Sequence, residues 1–354
     1  MKILYRYLGR TFLQNWLNVN LVLAGLFSFL ELARQLDDVG KGHYKLSGAL
    51  LYVALTLPGR MIEMAPPSAL IGSILALGIL DKNHELIALR ACGISIQRVG
   101  WAFIRPAMVT LCLIVLGVQF VVPYLEQTAW TLRETAISVS GTILPKGGFW
   151  SRDRERFVNL RTARENGIQA ADIYEFDRMR RLTGYAGAEE TNIGRDGKWR
   201  LRDTQQKLLT ENGSSTIKTP ELVVPDLLTS KQAAALSLPP QTLSLTELSE
   251  ISQNLKRRGE NAGRYLLTLW QKLTLPLMTA AMIMISLPFV CGNPRAGTLG
   301  WHIMLGAIAG IGFFYLNQIL GYAGLLLQLS PLWTTAFPAL LVLAIGIFYT
   351  KKAV

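Results

Sequence analysis

The sequence predicts an α-helical membrane protein with six transmembrane helices, arranged three plus three around an inserted all-β, jellyroll-like domain. Three observations support this fold class. Long apolar runs flank a polar segment, short alternating stretches fill that segment, and the basic residues outside it cluster at the ends of the runs. The predicted domains are residues 1–125 for the first three spans, 126–263 for the insert and 264–354 for the last three.

The first three apolar runs have the length of membrane spans. Residues 11–30 and 106–125 each form an uncharged stretch of 20 residues. A helix of about 20 residues is long enough to cross the hydrocarbon core of a bilayer. A third, shorter run covers Met64 to Leu80.

The chain after the insert supplies the other three spans. Leu273 to Pro294 is uncharged, and 55 further residues, 296–350, carry no formal charge. That second stretch is too long for one helix across a bilayer. It is predicted to divide into two spans near Gly321–Gly324 and Ser330–Pro331.

The second span is predicted to be bent. If it ends at Asp81, a bilayer's length of helix reaches back only to about Met61, and Leu46 to Gly59 then lies outside the hydrocarbon. Prolines interrupt helical hydrogen bonding and allow a bend. The prolines in question are Pro58, Pro66 and Pro67.

Charged residues within or beside the spans need an explanation. Arg60 and Glu63 are three residues apart on one helical face, so they either form an interfacial ion pair or line a polar entrance. Lys272 falls within the outer half of the fourth span. It either extends its ammonium group to the lipid headgroups or faces a cavity. In the second case Arg264, two turns earlier, and Arg133 would extend a basic strip suited to a phosphorylated lipid.

The charge distribution predicts the orientation. The formal net charge is +12, but residues 126–263 hold 20 Lys/Arg against 18 Asp/Glu, so most of the excess lies at the span ends. One set of short loops and termini carries ten basic residues and the other carries four, which places the richer side in the cytoplasm. Both termini are then cytoplasmic and 126–263 is extracytoplasmic. The basic charge is topological rather than a nucleic-acid site.

The insert is predicted to be β-structured. Stretches 157–160, 172–176 and 198–202 alternate apolar with polar residues. The turn dipeptides Asn166-Gly167, Asp196-Gly197 and Asn212-Gly213 lie between such stretches. Residues 245–263 instead repeat leucine and isoleucine at three to four residues, as an amphipathic helix does. The insert has no cysteine, so its core must be stable without disulfides, which is typical of a bacterial envelope protein.

The short loop at residues 81–98 is predicted to contain a helix. Glu85, Leu86, Leu89 and Cys92 have helical spacing, and Gly93 is placed to end it. A helix with acidic and apolar residues on the cytoplasmic face is either a plain interfacial helix or a docking element for a motor protein.

The sequence contains no recognisable catalytic or cofactor motif. It has no P-loop pattern and no G-x-S-x-G, and His84-Glu85 is not completed to a zinc helix because residue 88 is alanine. The three histidines are scattered. We therefore predict no catalytic residues, no metal site and no cofactor in this chain, so that any energy comes from another subunit.

Several segments resemble the permeases of the lipopolysaccharide-export ABC transporter family, in particular the G-type subunit. The resemblance runs over essentially the whole chain. It is carried by Arg6–Thr11, by the loop Glu85–Gly93, by Arg264-Tyr265 with Trp270, Lys272 and Pro276-Leu277, and by Tyr315–Gln318.

The resemblance implies a specific machine in the bacterial inner membrane. The chain would pair with a homologous F-type six-span permease and bind a cytoplasmic ATPase dimer, which binds the ATP. A single-span periplasmic jellyroll subunit and a soluble periplasmic bridge protein would continue the path. Lipopolysaccharide would enter from the outer leaflet of the inner membrane and leave through the jellyroll domains.

The resemblance also implies site residues. The ATPase-coupling set would be Glu85, Leu86, Leu89, Arg90 and Gly93, and Arg133, Arg264 and Lys272 would meet the lipid phosphates or sugars. Family members often carry lysines where the first span leaves the membrane, whereas Glu31, Asp37 and Asp38 are acidic here. Arg34, Lys41 and Lys45 are expected to compensate from shifted positions.

Two other classes of function remain open from the sequence. A mechanotransmitting membrane protein would relay ATPase motion to a periplasmic partner without moving lipid, and a tightly packed interior around Lys272 would favour it. An intramembrane enzyme acting on lipids would need a convergent nucleophile, base or metal set, which the sequence does not offer.

Overall fold

The computed structural model describes residues 2–94, 96–137, 149–153, 156–164, 167–177, 181–188, 190–193, 199–210, 213–224, 238–257, 260–291 and 299–352. The chain divides into two compact units. The helical unit comprises Met1–Ala33, Thr56–Pro123 and Leu266–Val354, and the sheet unit comprises Arg34–Leu55 and Tyr124–Tyr265.

Long apolar helices dominate the chain. The helices before the sheet are α1 (Lys2–Leu36), α2 (Leu46–Glu63), α3 (Ala65–Lys82), α4 (Glu85–Ala91), α5 (Ile96–Leu116) and α6 (Val122–Ile137). A π-helical turn, Gly117–Val121, separates α5 from α6. After the sheet come α7 (Leu245–Arg257), α8 (Gly263–Cys291), α9 (Leu299–Leu326) and α10 (Pro331–Lys352). Within the described residues five helices are long and apolar enough to cross a membrane, or six if α2 and α3 form one broken span.

The bend predicted for the second span is confirmed. Helices α2 and α3 meet at Met64 with an angle of 62° between them. Side chains of α1 hydrogen-bond to this break: Asn20 Nδ2 donates to the Met61 carbonyl at 2.9 Å, and Trp16 Nε1 donates to the Ala65 carbonyl at 3.2 Å. Ser68 accepts from both side chains, at 3.0 Å from Trp16 and 2.9 Å from Asn20. The broken helix is therefore held by α1 through buried polar contacts.

The core of the helical unit lies between α1, α3, α5 and α8. Phe12 of α1 stacks on Phe103 of α5 with ring centroids 5.1 Å apart, and both side chains are fully buried. Leu77 and Leu80 of α3 and Leu287 of α8 complete this cluster. Much of the remaining apolar surface of the helices is exposed, as expected for segments that face lipid or partner subunits.

The division of the last apolar stretch was predicted only in part. The break at Ser330–Pro331 is confirmed, since α9 ends at Leu326 and α10 begins at Pro331. The prediction of a break near Gly321–Gly324 was wrong, because both glycines lie inside α9. A Cβ at Gly324 would lie 2.3 Å from Thr334 Cγ2, so this glycine allows α9 and α10 to pack closely instead of forming a turn.

The sheet unit confirms the β character of the insert. Its strands are β1 (Phe149–Asp153), β2 (Arg156–Arg164), β3 (Gly167–Phe176), β4 (Leu182–Ala188), β5 (Glu190–Ile193), β6 (Trp199–Thr210) and β7 (Gly213–Val224). All seven described strands belong to one antiparallel sheet in the order β1-β2-β3-β4-β6-β5, with β7 also paired to β6. A jellyroll arrangement stays a prediction.

The hairpins predicted from the turn dipeptides agree with the strand pairing. Antiparallel pairs join β2 with β3, β5 with β6 and β6 with β7, on either side of the three predicted turns. The turn residues Asn166, Asp196, Gly197 and Asn212 themselves, with Lys198, lie outside the described residues.

The predicted amphipathic helix is α7, which ends at Arg257 rather than continuing to Gly263. It starts with a capping box, in which the Ser244 backbone N–H donates to Glu247 Oε2 at 2.8 Å and the Glu247 N–H donates to Ser244 Oγ at 3.3 Å. Leu248, Ile251 and Leu255 are buried, as their spacing predicts.

Candidate functional site

The helical unit contains a small group of charged side chains near the bend of the second span. Arg60 Nη2 lies 3.4 Å from Glu31 Oε2, and Arg60 Nη1 donates to the Phe27 carbonyl at 3.2 Å. Arg60 thus forms its salt bridge with α1, and the alternative of a direct Arg60–Glu63 salt bridge is not seen among the described residues. A local spacing of three residues allows a pair but does not exclude a better-placed acid on another helix.

Glu63 and Lys272 belong to the same group. The Glu63 side chain is exposed and Lys272 is half-buried in α8. Arg60 and Lys272 are the two cations that act electrostatically on the Glu63 carboxylate. Lys272 therefore lies near a carboxylate of α2 that the sequence did not connect to it.

The sheet unit contains a second polar group, which we call the Arg133 cluster: Gln35, Asp38, Lys41, Arg133 and Glu134. Arg133 Nε donates to Gln35 Oε1 at 2.9 Å, Nη1 donates to Glu134 Oε1 at 2.5 Å and Nη2 donates to Asp38 Oδ2. Lys41 Nζ lies 2.7 Å from the other Asp38 oxygen. All three nitrogens of the guanidinium group already have protein partners.

The charges of the Arg133 cluster shift the pKa of Asp38. The Lys41 ammonium, which donates a hydrogen bond, holds the pKa of the Asp38 carboxyl below its ordinary value. Partial burial acts in the opposite direction, and the Arg133 hydrogen bond lowers the pKa further. Asp38 is therefore ionised at neutral pH and binds two cations.

A cavity of about 190 Å³ lies beside Arg133 in the sheet unit. It is lined by α2, by α6 and by the segment that precedes α2. The polar side chains of the lining are His43, Tyr44, Lys45, Ser47, Tyr52 and Arg133. Of the six cations predicted to contact lipid, the structure thus brings Lys45 and Arg133 to one cavity.

The other four predicted cations are distributed differently. Lys41 is exposed and paired with Asp38, while Arg34 and Arg264 are exposed and absent from the cavity lining. Lys272 belongs to the helical unit. The six residues therefore do not form one site within either unit.

The helix predicted in the loop at residues 81–98 is confirmed as α4, Glu85–Ala91, while its coupling role stays a prediction. Gly93 has a positive φ of 75° and the Ile94 N–H donates to the Leu89 carbonyl at 3.1 Å, so the helix closes as a glycine C-cap requires. Leu86 is buried in the core of the helical unit and Leu89 packs against it. Arg90 lies in α4, but its side chain is outside the described part of the chain.

Glu85 lies at the start of α4 and is held by neighbours. Tyr7 of α1 donates its hydroxyl to Glu85 Oε1 at 3.2 Å, and Asn83 Nδ2 donates to the same oxygen at 3.3 Å. Ile87, on another face of α4, leaves 59% of its surface exposed. α4 thus presents an oriented carboxylate and an apolar side chain outward, while its leucines anchor it inward.

The family model described as lipopolysaccharide export system permease LptF/LptG matches residues 6–352. This chain belongs to the LptF/LptG permease family. The permease is 28% identical over 338 residues to the lipopolysaccharide export system permease protein LptG of Haemophilus influenzae, covering 95% of this chain and 94% of the relative. It is also 28% identical over 343 residues to the LptG protein of Escherichia coli K12, again covering 95% and 94%. The predicted resemblance is confirmed.

Sequence reasoning missed several residues of this permease that surround the predicted sites. Tyr7 contacts Glu85 across 78 positions of chain, and no local pattern connects them. Asp38 was noted only as a departure from the family's lysines, and its pairing with Arg133 was not expected. The sequence could have identified Ile87 as an exposed apolar residue of α4, because it lies off the helix face that Leu86 and Leu89 define.

Proposed function

We propose that this chain is the G-type permease subunit of an ABC transporter that extracts lipopolysaccharide from the outer leaflet of the bacterial inner membrane. It passes the lipid to a periplasmic β-jellyroll bridge leading toward the outer membrane. The observation that carries the proposal is the family match over residues 6–352, joined by relatives named LptG that align with 95% of the chain. The chain itself is a non-catalytic subunit in this proposal.

The proposed orientation follows from the basic residues. Ten Lys/Arg at one set of span ends against four at the other favour cytoplasmic termini and a periplasmic location for residues 126–263. In this orientation α4 is cytoplasmic and the sheet is periplasmic, where it would receive lipid. A jellyroll-like curvature of the sheet would give that surface an apolar interior for acyl chains.

The proposed lipid path uses cations that need not act together. Lys272, half-buried in α8, would meet a phosphate within the membrane, where a charged side chain is costly and a lipid phosphate offsets part of that cost. Arg34, Lys41, Lys45, Arg133 and Arg264 would meet phosphates or inner-core sugars on the periplasmic side. Bidentate guanidinium–phosphate contacts favour arginine for this task.

The proposed partners supply the energy of ATP hydrolysis, the second half of the membrane cavity and the periplasmic part of the lipid path. A cytoplasmic ATPase dimer binds ATP and receives α4, whose coupling set is Glu85, Leu86, Leu89, Arg90 and Gly93. A homologous F-type permease completes the membrane cavity. A single-span periplasmic jellyroll subunit and a soluble bridge protein accept the lipid. No nucleic acid takes part.

One experiment tests the proposal as a whole. The chain is purified with its co-expressed neighbours, and bound lipid and subunits are identified by mass spectrometry. We expect lipopolysaccharide, an ATPase and a second permease, and ATP-dependent release of lipid from proteoliposomes to the bridge protein. A complex with ATPase but no lipid would favour mechanotransmission, and turnover of lipid by the isolated chain would favour an enzyme.

A further inference from the structure

In the Arg133 cluster, the Asp38 carboxylate occupies the place at the Arg133 guanidinium group where an incoming anion would bind. Arg133 directs Nη2 to Asp38, Nη1 to Glu134 and Nε to Gln35. Asp38 is also held by Lys41 at 2.7 Å. A phosphate that binds the fork of Arg133 must first displace a carboxylate of the same chain.

The cluster is electrically balanced and partly shielded from water. Its two cations, Arg133 and Lys41, oppose the two carboxylates, Asp38 and Glu134. The Arg133 side chain is 18% exposed and the side chains of Asp38 and Glu134 are each 20% exposed. The charges of these four groups therefore cancel, so an approaching monoanion meets no net positive charge from the cluster itself, and the guanidinium group borders an open cavity of about 190 Å³.

Competition with an internal carboxylate favours some anions over others. Asp38 belongs to the same molecule, so its effective concentration at Arg133 is high, roughly millimolar or above as for tethered groups. A phosphodiester headgroup has one negative charge and gains little by replacing a carboxylate. A phosphomonoester carries about −1.5 to −2 charges near neutral pH and three acceptor oxygens, so it can exceed Asp38 in both charge and hydrogen bonds.

We propose that Asp38 is a selectivity residue: it occupies Arg133 as an internal anion, which excludes monoanionic phospholipid headgroups and admits phosphomonoesters. This inference rests on the proposed function, because it concerns how the lipid path distinguishes its cargo. Specificity of this kind depends on an element that acts against the wrong ligand as much as on attraction to the right one. The open cavity beside Arg133, with Lys45 in its lining, provides room for the displacing group.

The test compares Asp38→Asn with wild type in the full permease complex in nanodiscs. Asparagine keeps the shape of the side chain and removes the charge that competes for Arg133. The measured quantity is the half-saturating concentration of bis-phosphorylated lipid A, with and without phosphatidylglycerol in a phosphatidylcholine bilayer. The matched control is Asp37→Asn, which removes an exposed charge next in sequence.

In wild type and in the Asp37→Asn variant, phosphatidylglycerol should raise the half-saturating lipid A concentration by about twofold at most, because surface charges alone contribute little. In Asp38→Asn it should raise that concentration roughly fivefold, since a partly exposed charged hydrogen bond becomes available to the phospholipid. Asp38→Glu should restore discrimination.

The outcomes separate the two levels of the proposal. Wild type that binds lipid A but shows the same phosphatidylglycerol competition as Asp38→Asn would overturn the selectivity role and leave the proposed function intact. A uniform loss of lipid A binding in Asp38→Asn, together with a lower unfolding temperature, would show that Asp38 has a purely structural role. That result would also overturn the selectivity role. Wild type that binds no lipid A would overturn both.

Discussion

Gly72 provides the sharpest test of how α1 holds the broken second span. Gly72 is buried in α3 beside Trp16 of α1. A Cβ at this position would lie 2.6 Å from Trp16 Cα and 2.9 Å from its backbone nitrogen. These neighbours are backbone atoms and cannot rotate away, so Gly72→Ala must separate the two helices.

The size of the effect follows from the same geometry. Restoring ordinary contact distances requires a shift of about 1 Å, and overpacking of this kind costs about 1–3 kcal/mol. The shift also stretches the hydrogen bonds from Trp16 Nε1 to Ala65 and Ser68, now 3.2 and 3.0 Å, beyond useful length. Losing most of the stabilisation from these two hydrogen bonds adds about 1 kcal/mol to the cost. We expect a total destabilisation of about 2–4 kcal/mol, which for a chain of this size lowers the unfolding temperature by about 3–5 °C.

The assay is thermal unfolding of the detergent-solubilised complex, followed by intrinsic fluorescence and by loss of the monodisperse species. Gly25→Ala is the matched control, because Gly25 also lies in a long apolar helix but a methyl group added there would meet no neighbouring atom within 4 Å. The control should unfold within a degree or so of wild type, as exposed substitutions usually do. An unfolding temperature for Gly72→Ala equal to that of the control would refute the close packing of α1 on α3.

Four further predictions concern the candidate sites. Lys272→Glu should weaken crosslinking to lipopolysaccharide while assembly survives, and unchanged crosslinking would contradict the cavity hypothesis. Glu85→Lys should uncouple or release the ATPase, which normal co-purification with normal transport would refute. Tyr7→Phe should leave the complex assembled but lower transport per ATP hydrolysed, since Glu85 loses one donor; equal coupling ratios would exclude this role. Lys41 and Arg133 lower the folded-state pKa of Asp38, so the ionised side chain stabilises the fold above the ordinary carboxyl pKa of about 4. This stabilisation is lost as the pH falls through the lowered pKa. The difference in unfolding temperature between wild type and Asp38→Asn should therefore shrink in acid.

The family and the main elements could be predicted because their signals are local. Uncharged runs of span length became helices, and alternating stretches separated by turn dipeptides became paired strands. The helices extend beyond the uncharged runs: α1 covers 35 residues, where the apolar run gave 20. Hydropathy identifies only the part of a helix that can lie in the hydrocarbon of a bilayer. The helix itself is longer, because its backbone hydrogen bonds continue into the polar residues on either side.

The failures occurred where long-range contacts decided between locally equivalent choices. Gly321 and Gly324 are as compatible with a turn as with close helix packing, and Leu267 and Thr334, their neighbours in space, selected packing. Arg60 had an acid three residues away but formed its ion pair with Glu31 of α1.

Composition and periodicity along the chain were enough to predict the class of the protein, the order of its apolar segments and the β character of the insert, because these features are written locally in the residues. The folded chain was needed to learn which acids Arg60 and Arg133 meet, which glycines are helix contact points and which side chain orients Glu85. Those outcomes depend on distances between residues far apart in sequence, such as Asp38 and Arg133, which are 95 positions apart. The charge and hydrophobicity of a side chain determine which kind of partner stabilises it, and the fold determines which residue of that kind lies close enough to contact it.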